Sequence, residues 1–457
     1  MAVSSLGLGS GVLTQDVLDQ LRKADESSRV TPIDMQLALV KDEQGAFNVL
    51  DAKMTNLIDS IDALKRPLLY DERTARVTGT SVAVTASANS DLQEFTLNVT
   101  QLATKQIEES GSFGSETDTI ASAAGSINLN IDGTDFTIDY DDTTTLKSFK
   151  KSINDIAGDK VNATIVQIAS GDYRLFLNSV GTGSNQDITI TDNSGNLSGT
   201  QLTDDLTALQ TGVDATFEFN GQTVTRSSNE VTDLVTGYDI TLKELGSSSV
   251  KIEQNRDAIL EKIDSFVEKY NDAMGELGRL TVNSTNSDER GIFAGNSTIR
   301  SMQLKIRNLM DDIGGGVGNI YDYGFDIDKS GKLTFDKSVF NDALDADAAN
   351  VEAFFSGGDF DNGDGTTTIV DGIFNELSTA VGAYTNYDQT LDQFKKSLME
   401  QSTELEDRRA TEIERLDNKY ATLQKQWAAY DALIAKLTSS ANAFIQMVNT
   451  QNSTKNN

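Results

Sequence analysis

The chain has 457 residues, with 38 Lys+Arg against 70 Asp+Glu for a formal charge of −32, two Pro, no His and no Cys. Without His or Cys there is no Ser-His-Asp or Cys-His triad, no imidazole or thiolate metal site and no disulfide. A sequence pI near 4.3 argues against a nucleic-acid partner and against anionic membranes, since phosphate binding needs a Lys/Arg surface.

No segment approaches the ~20 apolar residues of a membrane span, so no membrane insertion is expected. The start, MAVSSLGLGSGVLTQDVLDQ, has no basic region and no apolar run of signal-peptide length. The expected location is therefore cytoplasmic, or outside the cell by a route without a cleaved signal. Charge is uneven along the chain. Residues 71–250 carry 10 basic and 26 acidic side chains and 251–390 carry 12 and 25, whereas 391–457 carry nine of each. Both ends are close to neutral, and the middle is strongly acidic.

Residues 1–31 read as a flexible segment with a short helix. Gly7-x-Gly9-x-Gly11 lacks the preceding strand and following Lys-Ser/Thr of a nucleotide loop. From Thr31-Pro32 onward, Ile33, Val40, Phe47, Met54, Ile61 and Leu68 recur every seven residues, with Leu37, Leu50, Leu57 and Leu64 between them. Thr31 is placed as N-cap and Pro32 at the first helical position, and Pro67 marks the other end. The prolines thus bracket about 35 residues, or roughly 50 Å of helix. Gln44 occupies one seam position, either setting register or lying partly exposed.

Residues 71–250 are rich in Thr, Ser, Asn, Asp and Gly, with short alternating runs such as Phe95-Leu97-Val99, Ile127-Leu129-Ile131, Phe136-Ile138-Tyr140 and Phe217-Phe219. Asp132-Gly133 and Asn220-Gly221 read as hairpin turns. One helix interrupts the runs, from about Thr145 to Ala157, with Leu146, Phe149, Ile153 and Ile156 on one face. The expected organisation is two small β-rich domains, 71–110 with 212–253 and, inserted in it, 111–211. Both project from a helical domain made of 32–70 and 254–449.

In the third quarter Ile259, Ile263, Phe266, Val267 and Tyr270 have helical spacing, and 281–291 and 311–320 read as loops. Asp326-x-Asp328-x-Ser330-Gly331 resembles the start of an EF-hand loop, but the twelfth position is Lys337 where a bidentate Glu is needed. The expected structure is a hairpin, Phe325–Ile327 turning at Ser330-Gly331 into Leu333–Phe335. Asp359, Asp361 and Asp364 lie in a second acidic, Gly-rich loop without ligand spacing, read as solvated. No cofactor, metal or catalytic constellation is expected.

The C-terminal pattern is stricter. Ile413, Leu416, Tyr420, Leu423, Trp427, Tyr430, Ile434, Leu437, Ala441, Phe444 and Val448 follow an unbroken 3-4 alternation, which predicts a left-handed seam. Upstream, Leu391, Phe394, Leu398 and Leu405 are one residue out of phase, so a skip or bend is expected between Leu405 and Ile413. The seam packs either within its own chain or between chains, and its aromatics suit a multi-helix bundle. Residues from about 450 to 457 are expected to fray.

Several blocks resemble the flagellar filament cap family, also called hook-associated protein 2 or FliD. The start SSLGLGSGVLTQDVLDQLRKADESSRVTPIDMQLALV and the end KYATLQKQWAAYDALIAKLTSSANAFIQM are similar to the family's terminal blocks. The most specific match is ATFEFNGQTVTRSSNEVTDLVTGYDITLKE, with Arg226-Ser-Ser-Asn229 and Val235-Thr-Gly237 after the Asn220-Gly221 turn. GIFAGNSTIRSMQLKIRNLM and YGFDIDKSGKLTFDKSVFNDALDADAANVEAFF resemble the blocks that follow. DDTTTLKSFKKSINDIAGDKVNATIV looks like a module shared by cap proteins and flagellins.

The resemblance implies an α+β multidomain chain whose terminal helices form a coiled-coil leg, and a homo-oligomeric ring of five or six subunits at the filament tip. Flagellin would fold and insert beneath it. Implied partners are further copies of the chain, flagellin, the hook–filament junction proteins, the flagellar type III export apparatus and an export chaperone. The two seams, Ile33 to Leu68 and Ile413 to Val448, would serve leg packing and filament contact. The alternatives are a junction or filament protein of the same axial superfamily, and a surface adhesin acting through the acidic β domains.

Overall fold

A computed structural model describes residues 11–12, 14–312, 314 and 316–454. The Gly7 and Gly9 positions, with the rest of the first ten residues of the expected flexible start, and the last three residues lie outside the described residues. The chain divides into two compact units, Met1–Pro67 with Leu260–Asn457 and Leu68–Ile259. The fold is α+β multidomain.

The first unit is mainly helical. Helix Gln15–Arg29 is followed after Val30 by helix Thr31–Leu64. The N-cap is Val30 rather than Thr31, and Pro32 sits in the first turn, where a missing N–H costs nothing. The helix stops at Leu64, and Pro67 begins a separate short helix, Pro67–Asp71, instead of closing the long one. Helix Thr31–Leu64 buries one stripe, Ile33, Val40, Phe47, Leu50, Met54, Leu57, Ile61 and Leu64. This stripe packs along helix Ile373–Thr385 and the long helix Thr390–Thr454.

Helix Thr390–Thr454 runs 65 residues, about 98 Å at 1.5 Å per residue. It passes through 405–413 without interruption, so the expected skip is not a break in the backbone. The change of phase is a change of partner. The Phe394 ring packs tilted against Phe47, centroids 5.4 Å apart, and Leu405 clusters with Ile33 and Val40. Leu416 and Tyr420 instead cluster with Leu18 and Val30 of the preceding segment. The helix also continues to Thr454, past the expected fraying point at Thr450.

Between these helices lies an aromatic core. Phe355 is fully buried, with ring centroids 5.2 Å from Tyr323, 5.8 Å from Phe340 and 5.4 Å from Phe374. The hairpin Phe325–Ile327/Leu333–Phe335 contributes Phe325 to it, turning at Gly331 with φ 85°. Asp328 Oδ1 accepts the Ser330 and Lys332 N–H groups at 2.7 and 3.0 Å, so the carboxylate of the EF-hand-like stretch organises the turn.

The second unit is β-rich and has two cores. In the first, a five-stranded and a three-stranded antiparallel sheet enclose Phe95, Leu97, Val99, Phe217, Tyr238, Ile240, Val250 and Ile252. In the other, a four-stranded and a three-stranded sheet and helix Leu146–Ala157 enclose Ile127, Leu129, Phe149, Ile153, Leu175 and Leu177. Thr145 and Ser148 form a capping box at the helix start. Ile156, assigned to the buried face from its spacing, is 48% exposed, and Ala157 takes the inward position. Asp132-Gly133 (φ 51° and 68°) and Asn220-Gly221 (φ 48° and 80°) form the tight hairpin turns, each with two left-handed residues.

Candidate assembly surface

Among the seam positions of the first helix, Ile33, Val40, Phe47, Met54 and Ile61 are at most 6% exposed, all inside their own unit. Leu68 does not belong with them. It lies beyond the helix end on Pro67–Asp71 and is 61% exposed, because the seven-residue count continues past a helix that has already stopped. Gln44 is half-buried and donates through Nε2 to the Leu398 carbonyl at 3.0 Å, an inter-helix bond that ties the two helices in register.

The carboxy-terminal seam divides into two parts. Leu416 and Tyr420 are buried, and Ile413, Leu423 and Trp427 pack half-buried beside them on Leu18 and Val30. Polar contacts fix this packing: Tyr420 Oη donates to Asp25 Oδ2 at 2.8 Å, and Arg22 pairs with Asp417 at 2.5 Å. The Lys419 ammonium, with help from Tyr420, holds the Asp25 carboxyl below the usual range. Desolvation, and then the hydrogen bond to Asp25, pushes the Tyr420 phenol up.

Beyond Trp427 the seam turns to solvent. Tyr430 (59%), Leu437 (61%) and Phe444 (65%) are exposed, Val448 is 38% exposed, Ala441 is exposed and Ile434 is half-buried. Sequence reasoning missed that Leu433 and Ile445, both exposed, flank the seam. At 100° per residue they widen the apolar stripe to about 120°, broader than a two-stranded seam requires. Their signal was available, as apolar residues immediately beside seam positions. A second unassigned stripe lies on helix Thr31–Leu64 opposite its buried face, where Met35, Leu39 and Val49 are 67%, 54% and 47% exposed.

Contiguous exposed apolar surface on a long polar-flanked helix marks a surface for another protein rather than a site of chemistry. Among the described residues no group of three or more acidic side chains could hold a metal ion, and no helix is long and apolar enough to cross a membrane.

The chain thus joins in sequence a helical unit carrying such stripes and a β-rich unit. Family models for the flagellar hook-associated protein 2 N-terminus and C-terminus match residues 10–106 and 212–439. A flagellar hook-associated protein 2 of Aeromonas caviae is 25% identical over 97% of this chain and 98% of its own length. That of Campylobacter jejuni is 26% identical over 78% of this chain, which covers 64% of the relative's length. The E. coli K12 protein of that name is 24% identical over 99% of this chain and the whole of its own. The crystal structure of the D1-D2-D3 domains of the flagellar cap protein FliD from E. coli has the same fold, with a TM-score of 0.61 over 78% of this chain and 99% of that one at 20% identity. The chain belongs to the flagellar hook-associated protein 2 family, the FliD cap proteins.

Proposed function

We propose that the protein is the structural cap of a flagellar filament, acting without a chemical step. Copies of the chain form a closed ring, of five or six subunits, at the distal tip outside the cell. There the ring promotes folding and insertion of exported flagellin and prevents its loss. The chain travels through the flagellar export apparatus, met by an export chaperone, and first seats on the hook–filament junction proteins.

The observation that carries this reading is the seam running on for 21 residues past Trp427, with Tyr430, Leu437 and Phe444 exposed along it. A stripe this wide on a helix this long has no reason to be apolar unless other helices cover it. The outward stripe of Met35, Leu39 and Val49 supplies a second such face. The uneven charge agrees with close packing of the terminal helices, since 391–457 carries nine basic and nine acidic side chains while 71–390 is strongly acidic.

Negative-stain imaging of the purified chain tests the proposal. A cap gives closed rings or stacked plates. Long helical filaments would instead favour a filament or junction protein of the same superfamily.

A further inference from the structure

A cationic groove in the helical unit stands out in a chain so acidic. It is a cavity of about 500 Å³ between helix Arg256–Thr281, helix Ser297–Asp312 and the turn at Ser330–Lys332. Gly275, Gly278, Met274 and Leu304 give its lining an apolar part. A Cβ at Gly275 would meet no atom within 4 Å, and Leu304, half exposed, lies beside it. Arg279, Arg307 and Lys332 line its rim. Arg279 is engaged by Glu276 at 2.6 Å, whereas among the described residues neither Arg307 nor Lys332 makes an ion pair. Arg307 Nη2 donates to the Lys329 carbonyl at 3.3 Å, which leaves its charge, like that of Lys332, without a carboxylate partner among the described residues, in a segment where acids outnumber bases 25 to 12; such a pair of cations suits an acidic occupant.

The same unit carries a complementary projection. In the hairpin Gly358–Asp361/Thr367–Val370, Asp359 pairs with Ile369 and Asp361 with Thr367. Strand alternation puts these four on one face, and all four are exposed, Ile369 at 83%. Phe360 and Thr368, on the other face, are half-buried. The free face is thus one large apolar side chain bordered by two carboxylates. Four residues at ~3.3 Å each make a face about 13 Å long. Among the described residues no hydrogen bond or ion pair joins hairpin and groove within one chain.

We propose that this hairpin face seats in the cationic groove of a second copy of the chain. Ile369 covers Leu304 and Gly275, while Asp359 and Asp361 face Arg307 and Lys332. Plug and socket are different patches, so the contact is heterologous. Repeated head to tail it closes into a ring when the rotation per subunit allows. The inference rests on the ring-forming reading above, and adds which surfaces of the helical unit would meet.

The test uses the full chain in three forms, R307E/K332E, D359K/D361K and the two combined, with assembly followed by sedimentation and folding by circular dichroism. Each reversal alone should raise the protein concentration needed for assembly by about tenfold or more, and the combined variant should recover most of the loss, as attraction is restored with the signs exchanged. I369A should weaken assembly in the same direction without changing its salt dependence. Unchanged assembly in both reversals overturns this contact while the ring reading stands. So does a combined variant no better than either reversal alone. A wild-type chain that never assembles overturns both.

Discussion

Two leucines on one helix, in one heptad register, should respond in opposite ways to the same truncation. Leu416 is 2% exposed and sits against Leu18, Val30 and Tyr420. Leu416→Ala removes a buried side chain from a small cluster, a class of change that costs about 2–5 kcal/mol. Leu437 is 61% exposed, so Leu437→Ala should change the stability of the isolated chain by no more than about 0.5 kcal/mol. Its cost belongs to assembly. The single Trp of the chain, Trp427, packs beside the Leu416 cluster and reports on that part of the helix alone. This matters because a chain of two units need not unfold in one transition. Urea titration followed by Trp fluorescence on dilute protein should show a lower midpoint for Leu416→Ala and an unchanged one for Leu437→Ala. Sedimentation at high concentration should show the assembly defect in Leu437→Ala. A loss of monomer stability in Leu437→Ala equal to that of Leu416→Ala would refute the division of the seam.

Three further predictions concern stability. Phe355→Ala, at the centre of five other aromatic rings, should destabilise the helical unit by about 3–5 kcal/mol in chemical denaturation. Gly221→Ala has open space for its Cβ but a backbone φ of 80°, so it should cost about 1–2 kcal/mol through conformation alone, read as a lower midpoint for the β-rich unit. Glu108 is buried, and desolvation raises its pKa against the opposing hydrogen bond from Gln106, with Asp187 adding to the rise. The folded chain then holds this proton more tightly than the unfolded one, so the group's contribution is lost as pH rises from the ordinary carboxyl value through the raised one. Glu108→Gln should therefore raise the melting temperature at pH 7, and its advantage should vanish near pH 4.

The parts of the fold that were legible in the sequence are those where local chemistry decides. Asp132-Gly133 and Asn220-Gly221 announced their turns because two successive left-handed residues are tolerated by few other pairs. Helix Leu146–Ala157 announced itself through its period. The misreadings arose where a count was carried past a boundary or a neighbour decided the outcome. Leu68 continues the heptad arithmetic beyond a helix that ends at Leu64, and Ile156 lost the inward position to a smaller residue one place along. Periodicity finds an apolar stripe but not its partner. The seam therefore reads as continuous from Ile413 to Val448, although beyond Trp427 most of its positions, Tyr430, Leu437 and Phe444 among them, are exposed. The hairpin carrying Ile369 was read only as an acidic loop, because four-residue strands with scattered Asp give almost no alternating signal.

The central claim is tested most directly in cells that make flagellin but lack their own cap. Supplying the full chain should restore filaments. Supplying the chain without 413–457, with its β-rich unit shown to be folded, should leave short or absent filaments and flagellin in the medium. Normal filaments grown with the truncated chain would contradict the account.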